Sequence, residues 1–244
     1  MILHNLTRLK GHKKAFAWLV DPDKYDHEHL SSQLDIANET GVDLIFVGGS
    51  LISNHIDRLI TRIKSLSRIP VILFPGSPLQ ICSQADAILL LSLISGRNSE
   101  YLIGNHVVAA PFLRESGIEI IPTGYMLING GQQTSVSYMS NTQPIPADKP
   151  DIALATALAG EMLGLKVIYL DAGSGAQNPV PSNMIVMISS QISLPVLVGG
   201  GIRTPADVRN AYESGADLVV AGNATENNRN RLGELIIERD RFNT

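Results

Sequence analysis

Two glycine-rich segments near the carboxyl end of the chain have a composition suited to binding an anion. The first is Gly199-Gly200-Gly201-Ile202-Arg203 and the second is Ala221-Gly222-Asn223-Ala224. Glycine lets backbone N–H groups approach an anion closely, and a helix that begins there adds partial positive charge. A role in tight turns alone is the alternative, but two such segments together favour a phosphate site.

A third segment, Tyr169-Leu170-Asp171-Ala172-Gly173-Ser174-Gly175-Ala176, combines flexible backbone with polar side chains. The Ser174 hydroxyl and the Tyr169 phenol can donate to a phosphate oxygen. The Asp171 carboxylate can accept a proton from a substrate hydroxyl or hold that hydroxyl in place. Ser174 could instead cap a turn, and Asp171 could be a structural residue at the end of a strand.

A pair of carboxylates occurs near the amino end, in Asp21-Pro22-Asp23-Lys24. Mg²⁺ prefers oxygen ligands, takes few of them from the protein and bridges to phosphates. We favour Asp21 over Asp23 as a magnesium ligand, with the Ser50 hydroxyl as a second donor. The alternative is that Asp21 caps the turn that follows. Lys24 could neutralise a diphosphate or face water.

Other catalytic motifs do not occur in the sequence. The six histidines lack the spacing of metal ligands, and there is no P-loop, nucleophile elbow or paired-cysteine zinc motif. The single cysteine, Cys82, excludes an internal disulfide and fits a reducing cytosol. Its apolar surroundings predict a buried, inert thiol rather than a nucleophile.

Composition bounds the class of protein. The chain has 244 residues, 44% of them hydrophobic and 17% charged, which is enough to bury a sizeable core. Its net charge of −4 does not suggest a nucleic-acid partner. No apolar run has the length of a signal peptide or a membrane span. We expect one domain over residues 1–244, soluble and cytoplasmic.

Short apolar runs alternate with segments of helical periodicity, which is typical of a parallel sheet covered by helices. Eight such units in a chain of this length favour a closed (βα)₈ TIM barrel over an open doubly wound sheet. The predicted strands are Ala15–Val20, Leu44–Val47, Val71–Phe74, Ala87–Leu91, Glu119–Pro122, Val167–Leu170, Val196–Val198 and Leu218–Val220. In such barrels the carboxyl ends of the strands carry the active site, and the loops after strands seven and eight bind phosphate.

Two irregularities interrupt this pattern. The connection between strands three and four contains Pro75, Gly76 and Pro78 and is too short for a covering helix, so the third helix is expected to be missing or vestigial. The segment Gly124–Pro150 after strand five is long for a compact domain, which indicates a lid or a substrate-channel loop. A flexible insertion is the alternative.

Together the motifs resemble the geranylgeranylglyceryl phosphate synthase family, which includes the bacterial heptaprenylglyceryl phosphate synthases. The resemblance extends over essentially the whole chain, and the Tyr169–Ala176 segment is its most specific part. It also includes Val47-Gly48-Gly49-Ser50 and Thr123-Gly124-Tyr125. The missing third helix matches the modified barrel of this family.

The resemblance implies a magnesium-dependent prenyltransferase. Such an enzyme joins a prenyl diphosphate, here expected to be geranylgeranyl diphosphate, to the C3 hydroxyl of sn-glycerol 1-phosphate and releases diphosphate. By the same resemblance Asp21 and Ser50 are the magnesium positions and Asp171 is the catalytic residue. The implied glycerol-phosphate site is Tyr169, Leu170, Asp171, Ala172, Gly173, Ser174, Gly175, Gly200, Gly201, Gly222 and Asn223.

The resemblance carries further expectations. The family usually has glutamate where this chain has Asp171, which retracts the carboxylate by one methylene. A homo-oligomer is expected, and the lipid product suggests peripheral contact with a membrane. The prenyl tail needs an apolar groove, for which the gap left by the third helix and strands two to four are candidates.

Two other readings of the phosphate site remain open from the residues alone. A sugar-phosphate isomerase or a biosynthetic barrel would use the same site without a prenyl donor. A non-catalytic barrel that binds a phosphate ligand is the second alternative, and Asp171 is the feature that favours it.

Overall fold

The computed structural model describes residues 1–25, 27–226, 228 and 230–244. Eight parallel strands close into a barrel in sequence order, so the predicted fold is confirmed. The strands are β1 (Ala15–Val20), β2 (Leu44–Val47), β3 (Val71–Leu73), β4 (Ala87–Leu93), β5 (Glu119–Leu127), β6 (Val167–Asp171), β7 (Val196–Gly199) and β8 (Leu218–Ala221).

Helices surround the barrel. They are α1 (Ile2–Thr7), α2 (His27–Thr40), α3 (Ile56–Leu66), α4 (Asn105–Ser116), α5 (Ser135–Ser140), α6 (Pro150–Met162), α7 (Ser182–Ser189), α8 (Pro205–Glu213), α9 (Asn223–Glu226) and α10 (Arg231–Asn243), with a π-helical segment, Glu100–Gly104, before α4. Their sequences explain their limits. Thr204 begins α8 with a capping box, and Gly117 ends α4 in the left-handed conformation.

Residues 74–86, between β3 and β4, form only turns and bends. The expected loss of the third covering helix is therefore confirmed. The outer face of β4 lacks the helix that would ordinarily cover it from this connection, and Ile88 and Leu90 of that face pack in the outer core layer.

The core has two layers because successive strand residues point to opposite faces. In β6, Val167 and Tyr169 belong to the cluster inside the barrel, whereas Ile168 and Leu170 belong to the cluster between barrel and helices. The same alternation turns the Asp171 side chain inward, toward the carboxyl end of the barrel. Cys82 is buried in the outer layer, as predicted, and burial raises the pKa of its thiol.

The predicted end of strand five at Pro122 is wrong. β5 continues to Leu127, because residues 123–127 pair in register with Val167–Asp171 of β6. Pro122 lacks an N–H, but its carbonyl accepts a hydrogen bond from the Lys166 N–H at 2.8 Å. Proline and glycine are unfavourable inside a strand, but the pairing with β6 extends β5 beyond Pro122.

The predicted loop Gly124–Pro150 is correspondingly shorter than expected, and it contains a helix. Its first four residues lie in β5, and α5 lies in its middle, begun by the Thr134 capping box. A bridge between Ile128 and Ile145 ties its two ends together.

The sequence predicts the last helix over Asn228–Arg241, but α10 begins at Arg231; Arg229 lies outside the described residues. Within the described part of the chain, no helix is both long and apolar enough to cross a bilayer.

Candidate active site

A cavity of about 300 Å³ opens at the carboxyl ends of the strands. It brings together most of the residues singled out from the sequence. Those that line it are Asp21, Ser50, Tyr169, Asp171, Gly173, Ser174, Gly175, Gly200, Gly201, Gly222 and Asn223. Leu170 and Ala172 do not belong to the cavity lining, and their side chains lie in the outer core layer.

Asp171 is the buried carboxylate of the cavity, with 6% of its surface exposed. Its Oδ2 accepts a hydrogen bond from the Tyr125 hydroxyl at 2.6 Å, and its Oδ1 accepts one from the Gly173 N–H at 2.7 Å. Burial raises the pKa of this carboxyl above its ordinary value, while the two donors act in the opposite direction. A raised pKa suits a group that must accept a proton near neutral pH.

An aromatic cluster forms the wall beside Asp171. Tyr169 stacks on Phe74 at 5.3 Å between ring centroids, and Tyr125 meets Tyr169 edge-on at 5.5 Å. Burial, followed by the charge of Asp171, holds the pKa of both tyrosines well above the usual range, so both phenols remain donors at neutral pH.

Sequence reasoning assigned no role to Tyr125 or Phe74. Phe74 follows β3 at the carboxyl end of the barrel, a position that could have marked it. Tyr125 had a similar signal, because it follows the predicted end of strand five and belongs to the Thr123-Gly124-Tyr125 motif of the resemblance.

The glycines after β7 allow two loops to meet. Gly200 has a φ of 74°, and a Cβ on it would lie 2.5 Å from Asp171 Oδ1 and 2.6 Å from the Ala172 N. Gly201 has a φ of 72°, and a Cβ there would lie 2.7 Å from the Asn178 carbonyl oxygen. A side chain at either position would separate the β7–α8 loop from the β6–α7 loop.

Polar contacts connect these loops to their neighbours. The Ser174 hydroxyl donates to Asn223 Oδ1 at 3.2 Å, which joins the loop after β6 to the start of α9. Arg203 donates to the carbonyl oxygens of Ala176 and Gln177, so the cation of the glycine-rich segment braces the β6–α7 loop.

The entrance of the cavity carries a small charge cluster. Lys24 Nζ lies 3.0 Å from Glu226 Oε1 and 3.8 Å from Asp21 Oδ2. Asp23 lies outside the cavity lining, and its two oxygens accept from the N–H groups of Ser53 and Asn54 at 2.8 and 2.9 Å. Asp23 therefore anchors the β2–α3 connection, and Asp21 is the carboxylate that faces the cavity.

The part of the cavity away from the glycine-rich loops, called here the apolar arm, is lined by apolar side chains. It extends over β4 toward α4 and the connection that lacks a helix. Its apolar lining comprises Phe74, Ile81, Ile88, Leu89, Leu90, Leu91, Leu93, Ala109, Leu113, Val136 and Met139. Val136 and Met139 belong to α5, so the long segment after β5 contributes to this wall.

The donors available to a metal are few. Among the described residues there is no group of three or more His, Cys, Asp or Glu that could enclose an ion. Asp21 and Ser50 line the same entrance, and Gly49 lies between them with its Cβ direction 3.6 Å from the Asp21 carboxylate. One carboxylate and one hydroxyl fit Mg²⁺ when water and phosphate oxygens complete its coordination.

The fold and the cavity define a TIM-barrel protein whose cavity combines glycine-rich loops, a buried carboxylate and an apolar arm. Comparison with known proteins is more specific. The chain matches the PcrB family over residues 7–239 and belongs to that family.

Two relatives are similar to this chain over most of its length. The geranylgeranylglyceryl phosphate synthase of Spirosoma linguale is 51% identical over 237 residues, which cover 97% of this chain and 95% of that protein. The protein of the same name from Chitinophaga pinensis is 52% identical over 226 residues, covering 91% and 88%.

A solved structure is similar at the level of the whole fold. It is the (S)-3-O-geranylgeranylglyceryl phosphate synthase of Thermoplasma acidophilum in complex with its substrate sn-glycerol-1-phosphate. Its superposition on this chain has a TM-score of 0.93 and covers 99% of both chains, whose sequences are 32% identical.

The close approach at Gly200 gives a testable expectation. Gly200→Ala should lower the free energy of unfolding by about 2 kcal/mol more than Gly117→Ala, because it adds overpacking against backbone. Gly117 is a matched control: its φ is 68°, and nothing lies within 4 Å of its Cβ direction. Denaturant unfolding followed by circular dichroism measures both, and equal losses would contradict the packing argument.

Proposed function

We propose that this chain is a prenyltransferase of the geranylgeranylglyceryl phosphate synthase type. It joins the C1 carbon of a prenyl diphosphate, with geranylgeranyl diphosphate as the expected donor, to the C3 oxygen of sn-glycerol 1-phosphate. The C1–O bond to diphosphate breaks and its electron pair leaves with the diphosphate. The proton of the C3 hydroxyl passes to the protein, and the product is a prenylglyceryl phosphate ether.

One observation carries this proposal: a glycine-rich polar end and an apolar arm belong to the same cavity, and the buried Asp171 carboxylate lines that cavity. A small phosphate ester needs only the polar end. A polyprenyl chain needs an apolar surface of the kind that β4 and α4 provide. The sugar-phosphate and purely ligand-binding alternatives leave the apolar arm without a role.

The polar end supplies the site for glycerol phosphate. Its proposed ligands are the backbone and side chains around Tyr169–Gly175, Gly200, Gly201, Gly222 and Asn223. The bound sn-glycerol-1-phosphate in the related Thermoplasma acidophilum structure supports this substrate. Anchoring the phosphate holds the C3 hydroxyl at a set distance from the prenyl carbon, which replaces a random encounter by a fixed geometry.

Asp171 is the proposed general base. It is the buried carboxylate of the cavity, and each of its oxygens receives one hydrogen bond, which leaves further lone pairs for a substrate hydroxyl. Aspartate at this position reaches less far than glutamate, so the glycerol hydroxyl must lie closer to β6.

Asp21 and Ser50 are the proposed residues that hold Mg²⁺. When bound, the ion would stabilise the negative charge of the departing diphosphate. Lys24 stands beside Asp21 at the same entrance and adds a second positive charge toward a diphosphate.

The assembly is also part of the proposal. We expect one phosphate-binding domain over residues 1–244 that self-associates and contacts membranes peripherally. Exposed apolar side chains on the π-helical segment and α4 support an interaction surface: Ile103, Val107 and Phe112 are 60%, 66% and 60% exposed.

The test of the reaction is an assay of the purified chain with radiolabelled sn-glycerol 1-phosphate, Mg²⁺ and prenyl diphosphates of several lengths. We expect an organic-extractable labelled ether phosphate and an equimolar amount of diphosphate. The sn-glycerol 3-phosphate enantiomer is the control and should react poorly. Absence of ether product with every donor would refute the proposed function.

Replacing the base tests its role. Asp171→Asn should lower kcat by about 10²- to 10⁴-fold, the usual contribution of a general base, and change KM for glycerol phosphate only slightly. Steady-state kinetics measure both constants. Asp148→Asn, at a residue whose side chain is 79% exposed and outside the cavity lining, is the control and should behave as the unmodified enzyme. Unchanged turnover in Asp171→Asn would remove the assigned base.

Metal dependence gives a separate prediction. Chelation should stop turnover and Mg²⁺ should restore it. Asp21→Asn should raise the Mg²⁺ concentration for half-maximal rate by about tenfold or more, as expected when a metal site loses a supporting carboxylate. Asp148→Asn, at an exposed residue outside the cavity lining, is the control and should leave that concentration unchanged. The same Mg²⁺ requirement in both variants would argue against Asp21 as a ligand.

A further inference from the structure

We propose that Tyr125 is a positioning residue for Asp171: its hydroxyl holds one carboxylate oxygen in place and keeps the carboxylate ready to accept the substrate proton. The inference deepens the proposed function and rests on it for the role of Asp171 as base. Tyr125 itself takes no proton in this scheme.

The geometry of the pair supports this role. The Tyr125 hydroxyl donates to Asp171 Oδ2 at 2.6 Å, and the Gly173 N–H donates to Oδ1 at 2.7 Å. One anchor on each oxygen fixes both the position and the rotation of the carboxylate plane. Both Tyr125 and Asp171 line the cavity, and they are 5% and 6% exposed.

The tyrosine ring is itself held from several sides. Tyr125 lies in β5 opposite Tyr169 of β6 in the strand register. Its ring meets Tyr169 at 5.5 Å and 84°, and meets Phe74 at 5.8 Å and 72°. Edge-on contacts of this kind restrict a ring without a covalent link. The hydroxyl is therefore presented to Asp171 from a rigid wall rather than from a loop.

The hydrogen bond also affects protonation. Burial raises the pKa of Asp171, and the bond from Tyr125 is the larger of the two contributions that lower it again. Removing that bond should raise the pKa further, so that the active, ionised carboxylate appears only at higher pH.

Other ionisable groups also line the cavity that contains this pair. Tyr169 precedes Asp171 by two residues on the same face of β6. In the β7–α8 loop, the backbone of Gly200 lies next to Asp171. The remaining ionisable groups of the cavity lining are Asp21, Lys24, Tyr101, His106, Arg203 and Glu226. The pKa of Asp171 is set by burial, which raises it, and by the hydrogen bonds from Tyr125 and Gly173, which lower it.

The first test is Tyr125→Phe, which removes one oxygen and keeps the ring. The acid limb of the pH profile of kcat/KM should move to higher pH by about one unit, in line with the loss of a hydrogen bond to a buried carboxylate. The rate deficit should be largest at low pH and should diminish as the pH rises. A uniform deficit at every pH, without a shift, would overturn the proposal.

Two further variants complete the test. Tyr212→Phe is the matched control, because Tyr212 is 2% exposed and its hydroxyl donates to the Ala15 carbonyl at 2.7 Å, outside the cavity. It should lower stability without moving the acid limb. Fluorotyrosine at position 125 makes the phenol a stronger donor and should move the limb to lower pH, in the direction opposite to Tyr125→Phe.

A readout without turnover separates this inference from the proposed reaction. Infrared titration follows the carboxyl band of Asp171, with Asp171→Asn as the blank, in the unmodified chain and in Tyr125→Phe. A higher pKa in Tyr125→Phe supports the positioning role even if no prenyl donor reacts, in which case the proposed function alone fails. An unchanged titration overturns the inference even if the enzyme is active.

Discussion

The site depends on how closely the backbone after β7 approaches the backbone after β6. Gly200 occupies a left-handed conformation in which any Cβ would overlap the Asp171 carboxylate and the amides of residues 172 and 173. Because that space is kept clear, the Gly173 N–H can donate to Asp171 while the glycine loops face the same cavity. The position of the carboxylate and the contact between the two loops both depend on this one steric condition.

Asp171 shows how a barrel can keep an anion in its interior. Burying a carboxylate is unfavourable unless donors replace its water, and here the replacement comes from one side-chain hydroxyl and one amide. Two donors are fewer than a fully compensated buried carboxylate receives, so its basicity is raised rather than suppressed. The aromatic wall of Phe74, Tyr125 and Tyr169 supplies both the burial and one of the donors. Structure and reactivity are thus set by the same contacts.

Much of this arrangement could be predicted from the sequence because it depends on local patterns. Apolar runs predicted the strands, the glycine-rich segments predicted the loops that line the cavity, and the short spacing before β4 predicted the missing helix. The features that could not be predicted depend on the register between strands that are far apart in the sequence. The Tyr125–Asp171 contact joins residues 46 apart, and it exists only because β5 continues past Pro122 to pair with β6. A proline and a glycine in that strand concealed the continuation, since local propensity opposes what the neighbouring strand imposes.

The connection between β3 and β4 has a thermodynamic consequence. Where other strands are covered by a helix of the chain, Ile88 and Leu90 form part of a cavity wall shared with Ala109 and Leu113. A hydrocarbon lodged there would bury the same apolar surface that a helix normally buries, and any ligand that binds only the folded state stabilises it. Lipid would then act as a removable element of the core. A substitution that destabilises this part of the barrel would therefore lower the stability of the folded state less when such a ligand is abundant than when it is scarce.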